Sequence, residues 1–97
     1  MKVYYSVEVT KFLEKAREKD GARVNRTREL FEQWGFKVGP KYVKKISGDL
    51  WELRAGRIRL FLYVKREKAF GVHIIYKKSQ KLKAQDIELA KRRSREL

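Results

Sequence analysis

Residues 50–76 read LWELRAGRIRLFLYVKREKAFGVHIIY, and the alternation inside this stretch decides the fold. In 57–64, Ile58, Leu60, Leu62 and Val64 fall on one side of an extended chain, and Arg57, Arg59, Phe61 and Tyr63 on the other, because successive strand side chains point to opposite faces. In 50–55 the same alternation sets Trp51 and Leu53 against Glu52 and Arg54. Ala55–Gly56 and the polar run KREK at 65–68 read as turns, and 69–76 is a further run rich in β-branched and aromatic residues. Three strands joined by turns this short predict an antiparallel meander.

Working outward, residues 3–9 (VYYSVEV) read as a first strand, and Thr10 as an N-cap for a helical face made by Phe12, Leu13 and Ala16. Asp20–Gly21 reads as a break, after which Val24, Leu30, Phe31 and Trp34 resume helical spacing and Gly35 stands at a C-cap position. The expectation is a helical hairpin over 11–35, with Trp34 and Trp51 in the core. Gly39, Pro40 and Gly48 mark 36–49 as mostly loop, with a short extended piece at 42–46. Residues 84–96 (AQDIELAKRRSRE) close the chain as a helix whose apolar contacts are Ile87, Leu89 and Ala90. With no repeat, low-complexity tract or linker, the 97 residues predict one α+β domain, 1–97: strand, helical hairpin, three-stranded meander, C-terminal helix.

A formal net charge of +14 on a chain this short predicts a polyanionic partner. Nucleic acid comes first, an acidic protein second and an anionic membrane a distant third. No apolar run has the length of a transmembrane helix, and the opening MKVYYSVEVT lacks the apolar core of a signal peptide, so the expected location is cytoplasmic. The chain has no cysteine and a single histidine, His73, which excludes disulfides, thiolate chemistry and cysteine-based zinc sites. The acidic residues show no calcium-loop or paired-carboxylate spacing, so neither metal nor cofactor is expected.

Arg54, Arg57 and Arg59 carry planar guanidinium forks that suit phosphates, although arginines on a strand are also what a solvated sheet face shows. Because Ile58, Leu60, Leu62 and Val64 define the buried side, Arg57 and Arg59 are expected on an outer face beside Phe61 and Tyr63. Cations interleaved with aromatics can hold exposed nucleotides by charge and stacking. The run KKSQKLK at 77–83, following Tyr76, is either a solvated loop or a phosphate-binding one placed beside the arginine strands. His73 is a hydrogen-bonded structural residue or, as the only side chain that ordinarily titrates near neutrality, a proton carrier. Glu52 could act as a base but is better explained as the ion-pair partner of a neighbouring arginine.

The order LWELR, RIRLFLY, a histidine four residues before KKSQK, and DIELAKRR, preceded by a proline, VKKI and SG, closely resembles the HigB-like, phage-derived branch of the RelE/ParE toxin superfamily. The resemblance covers residues 28–95 well and the N-terminal part more loosely. The family usually has threonine where Ser79 stands and proline near Ala84.

This resemblance implies a sheet packed on a helical hairpin. It further implies a toxin that enters the ribosomal A site and cleaves mRNA, restrained by an antitoxin. Carried over by position, Arg54, Arg59, His73, Lys77 and Lys78 are the implied catalytic set. Lys45, Arg57, Tyr63, Tyr76, Lys81 and Lys83 are the expected RNA contacts. The implied reaction is metal-independent: the substrate's 2′-hydroxyl attacks the adjacent phosphate, with arginines holding transition-state charge and His73 or a lysine at 77–78 moving the proton. The basic surface calls for an antitoxin with an acidic segment, of helix-turn-helix type. Competing readings are a non-catalytic nucleic-acid-binding module, a gyrase-directed ParE-like toxin, and a toxin-like chain without activity.

Overall fold

The computed structural model describes residues 1–79 and 81–97. Its elements are β1 (Lys2–Tyr5), α1 (Val7–Lys15), α2 (Glu18–Trp34), a 3-10 turn (Gly35–Val38), β2 (Val43–Ser47), β3 (Leu50–Ala55), β4 (Ile58–Lys65), β5 (Lys68–Tyr76) and α3 (Ala84–Ser94).

The first strand is shorter than the run 3–9 suggests, and the helix begins at Val7 rather than after Thr10. Ser6 is the actual N-cap: its backbone is extended and its hydroxyl accepts from the Val9 N–H at 3.2 Å. A capping hydroxyl followed by Glu8 in the first turn outweighs the β-propensity of Val7 and Val9. Val9 is then buried on the helix face that meets the sheet, while Val7 points to solvent.

The hairpin bends at Ala16–Arg17, both extended, and not at Asp20–Gly21. Asp20 lies in the first turn of α2, where a carboxylate suits the helix dipole. Gly21 is helical, and a methyl group on it would meet nothing within 4 Å. Gly21→Ala should therefore raise stability by about 0.5–1 kcal/mol, seen as a higher urea midpoint at unchanged m-value. A lower midpoint would show that the helix starts later than this.

At the other end of α2, Gly35 (φ +59°) provides the expected C-cap, its N–H donating to Phe31 O. The chain swings out there, and Trp34 is 54% exposed instead of buried. The apolar line continues through Phe31, Phe36 and Trp51, with ring centroids 5.5 and 4.3 Å apart.

The sheet has five strands in the order β1-β5-β4-β3-β2. β1 runs parallel to β5, and β2 to β5 form an antiparallel meander. The extended piece expected at 42–46 is thus a full edge strand, and the meander has four strands rather than three. The β1 edge is blunted by Glu32 of α2, whose carboxylate accepts from Val3 N at 2.8 Å. α1 and α2 cover one face, where Val9, Val24 and Phe31 pack on Leu53, Ile58, Leu60 and Leu62. α3 crosses the opposite face, closing a second, smaller core of Leu50, Phe61, Val72 and Ala90.

That second core changes the reading of β4. Phe61 is fully buried and Arg59 is 5% exposed, so their face is not an open outer surface. Arg57 leaves the strand and sits in the β3–β4 turn after Gly56 (φ +62°). β5 carries one extra residue against β4: Phe61 pairs with His73 and Leu62 with Gly71, leaving Val72 between them. This bulge turns Val72 into the second core.

Candidate nucleic-acid interface

On the α3 face, directly paired residues of neighbouring strands stand side by side. One such row is Lys44, Glu52, Phe61 and His73, and the next contains Arg54, Arg59 and Ile75. Two arginines facing each other across a ladder repel, and Glu52 offsets this from the adjacent row. Its carboxylate lies 3.4 Å from Arg59 Nε and 3.8 Å from Arg54 Nε. Glu52 is itself buried, so it acts as the ion-pair partner of both guanidiniums.

The two arginines differ in access. The Arg59 guanidinium donates to Gly56 O (2.7 Å) and Ile58 O (3.0 Å), which fixes it against the β3–β4 turn. Burial lowers its pKa from the ordinary arginine range, the neighbouring Arg54 charge adds to this, and Glu52 partly opposes it. Among the described residues the Arg54 guanidinium, unlike that of Arg59, makes no hydrogen bond to a carbonyl, and about a third of its side chain (32%) is exposed. Arg54 is thus the guanidinium able to meet a phosphate, with Arg59 behind it.

At the same end of the sheet, the end of β5, the lysine loop and the first turn of α3 enclose a cleft of about 350 Å³. Lys77, Lys78, Lys81 and Lys83 line it, together with Phe12, Tyr76 and Asp86. Among the described residues no side chain caps the start of α3, so the positive end of its dipole adds to the lysine field. The cleft is joined to the arginine turn by the Lys77 N–H, which donates to Arg57 O at 2.7 Å.

The remaining expected residues are spread around this end. Arg57 lies over the Tyr76 ring, 5.9 Å from its centroid, and Tyr76 donates to Asp20 at 3.1 Å, so this pair belongs to the side of the sheet covered by the helical hairpin. Tyr63 is at the far end, in a smaller cleft of about 240 Å³ with Leu50, Lys91 and Arg95. Lys45 pairs with Trp51 and sits over its ring, on the face opposite Arg54. Lys44, not Lys45, is the β2 lysine that shares the face of Glu52. A shift of one residue along a strand reverses the face, which is why the VKKI run does not show which lysine shares the face of Glu52.

His73 is held on both sides. Its Nε2 lies 2.8 Å from Asp86 Oδ1, and Arg93 donates to Nδ1 at 3.3 Å and to Val72 O at 2.9 Å. Since arginine only donates, Nδ1 accepts and Nε2 carries the proton shared with Asp86. The imidazole also packs on Phe61, with centroids 5.1 Å apart. His73 therefore ties α3 to the bulged strand. Sequence reasoning misses Asp86 and Arg93, yet a spacing of seven residues on one helix puts both on the same face, within reach of the only histidine. Asp86→Ala should cost about 1–3 kcal/mol and speed hydrogen exchange in α3 while the central strands keep their protection. Unchanged exchange in α3 would show that the helix is held by its apolar contacts alone.

Among the described residues no group of three or more His, Asp or Glu could hold a metal ion, and no helix is long and apolar enough to cross a membrane. The comparison with protein families matches residues 11–95 to the family described as Phage derived protein Gp49-like (DUF891). No curated protein matches the chain.

Proposed function

The chain belongs to the Gp49-like family of phage-derived proteins, a RelE/HigB-like toxin family, and on that premise we propose that it is the toxin of a toxin–antitoxin pair and cuts mRNA on the ribosome. The observation that carries this reading is the juxtaposition of Arg54, with Arg59 behind it, and a cleft lined by four lysines at one end of the sheet.

Such an end suits a phosphodiester whose charge grows during reaction. The substrate's 2′-oxygen attacks the adjacent phosphorus, the P–O5′ bond breaks, and the products are a 2′,3′-cyclic phosphate and a 5′-hydroxyl. Arg54 meets the non-bridging oxygens as negative charge builds on them. Arg59, locked by Gly56 O and Ile58 O, supplies a fixed charge behind it. Lys77 and Lys78 line the cleft, where one takes the proton of the 2′-hydroxyl and the leaving 5′-oxygen is protonated by the other or by water. His73 holds α3 rather than moving this proton. No metal enters the scheme. The ribosome would position the strand, which a surface with so little acid–base equipment needs.

The partner antitoxin covers this end with an acidic segment, matched to Lys77, Lys78, Lys81 and Lys83. A helix-turn-helix protein encoded beside the toxin is the candidate.

One observation favours a second reading, a binding module without catalysis: both ring nitrogens of His73 are engaged. The two readings separate on induction of the wild type and Arg59→Ala in a bacterial host, with 5′-end mapping of cellular mRNA. Cuts within translated regions that vanish in the variant support the nuclease. Growth arrest without cuts points to another target such as gyrase. Soluble protein giving neither favours the binding module.

A further inference from the structure

A second aromatic and basic surface lies across β2 from the arginine site. Phe36 is 39% exposed and Trp34 more so, while Phe36 packs against the partly buried Trp51. Lys45 lies over the Trp51 ring at 5.6 Å, and Lys41 over Tyr42 at the same distance. Residues 33–48 contain four lysines and no acidic residue. Neither cleft described above includes any of these aromatics.

We propose that Trp34, Phe36 and Trp51, with Lys37, Lys41 and Lys45, form a stacking platform for unpaired RNA nucleotides, separate from the phosphate-handling end of the sheet. Exposed rings cost solvation unless something covers them, and here the chain segment that carries Trp34 and Phe36 is cationic from 33 to 48. A base on Trp34 or Phe36 with its phosphates on the lysines satisfies both groups at once, and this recognition tolerates any sequence. An apolar protein surface would leave the lysine heads without partners.

The edge strand supplies a path between the two sites. Lys44 faces the Glu52–Arg54 side and Lys45 the Trp51 side of the same strand. Tyr42 O accepts from Arg54 N at 2.7 Å, which places the start of β2 directly against the arginine strand. A strand of RNA crossing the β2 edge would meet cations on both faces. Cutting is not required for this, so the inference holds whether the sheet end is a nuclease or a binding module.

The chain has two tryptophans, and both are in the platform, so intrinsic fluorescence reports directly on it. Titrating the full chain with an unstructured oligouridylate should quench tryptophan emission saturably, with quenching relieved by salt. Arg59→Ala should leave that quench in place, which separates this proposal from the nuclease reading. Anisotropy of a labelled oligouridylate should show binding weakened roughly tenfold by Trp34→Ala, the range of one stacked base removed. Lys45→Glu with Lys37→Glu should flatten the salt dependence by about 0.7 in log–log slope for each phosphate that is no longer neutralised. All three substituted residues are at the surface, and unchanged thermal unfolding confirms that the variants fold. Absence of quenching, or unchanged affinity in both variants, overturns the proposal. So does a result in which the variants bind RNA normally but lose a co-purifying protein partner, since the platform would then serve protein recognition.

Discussion

Glu52→Gln should lower the free energy of unfolding by about 3 kcal/mol, although it changes a single carboxylate oxygen into an amide nitrogen. Glutamine keeps the shape and burial of the side chain but leaves the guanidinium of Arg59 without its counter-charge. It also removes the carboxylate that offsets the direct opposition of Arg54 and Arg59 across β3 and β4. The Arg54 share of the loss is discounted because that side chain is partly in water. The discriminating measurement is a double-mutant cycle in urea. Glu52→Gln with Arg59→Met should cost clearly less than the sum of the two single variants, because each single variant leaves half of a buried ion pair without its counterpart. A single variant within about 0.5 kcal/mol of the wild type, the scatter of ordinary surface substitutions, would show that Arg59 is compensated by something other than Glu52.

Arg54→Ala should reduce RNA cleavage by about 10²–10³-fold, the effect of deleting one preorganised donor to a developing oxyanion, with little loss of stability. Two observations lead to this asymmetry. Arg54 is the accessible member of the pair, and removing it relieves the repulsion that adds to burial in lowering the Arg59 pKa. Arg59→Ala should reduce cleavage as well, but with a fall in stability, because it strands Glu52 and the carbonyls of Gly56 and Ile58. Cleavage and unfolding measured on the same two preparations separate the roles. Full activity in Arg54→Ala would remove it from the site.

The strands that can be read from sequence are those whose alternation matches burial. Ile58, Leu60 and Leu62 lie in the main core as their spacing predicts. The same alternation places Arg59 and Phe61 together, but period alone cannot say whether a second layer covers that face, and α3 does. The N-terminal boundary is misleading because Val7 and Val9 look like strand residues until the Ser6 hydroxyl is assigned to the Val9 N–H. The spacing of Trp34 points it inward, yet the left-handed backbone at Gly35 ends the helix before that side chain can turn to the core.

For the candidate site, residue types are legible in the sequence and neighbourhoods are not. Arg54, Arg59 and the lysine loop do come to one end of the sheet, as their sequence order suggests. Tyr63, at the opposite end of its strand, does not join them. Lys44 escapes notice because adjacent lysines on an edge strand are indistinguishable until the register Lys44–Glu52 is known. The lock on His73 depends on Asp86 and Arg93, residues of a helix whose docking no local pattern announces.

The most direct test of the central claim is the chemistry of the cut ends. Translating ribosomes programmed with a defined mRNA are incubated with the purified chain, and the fragments are analysed for their termini. The account predicts a 2′,3′-cyclic phosphate on the upstream fragment and a 5′-hydroxyl on the downstream one, whether or not the chain was treated with chelator before addition. A 5′-phosphate, or cleavage abolished by removing divalent cations from the toxin preparation before addition, would contradict it.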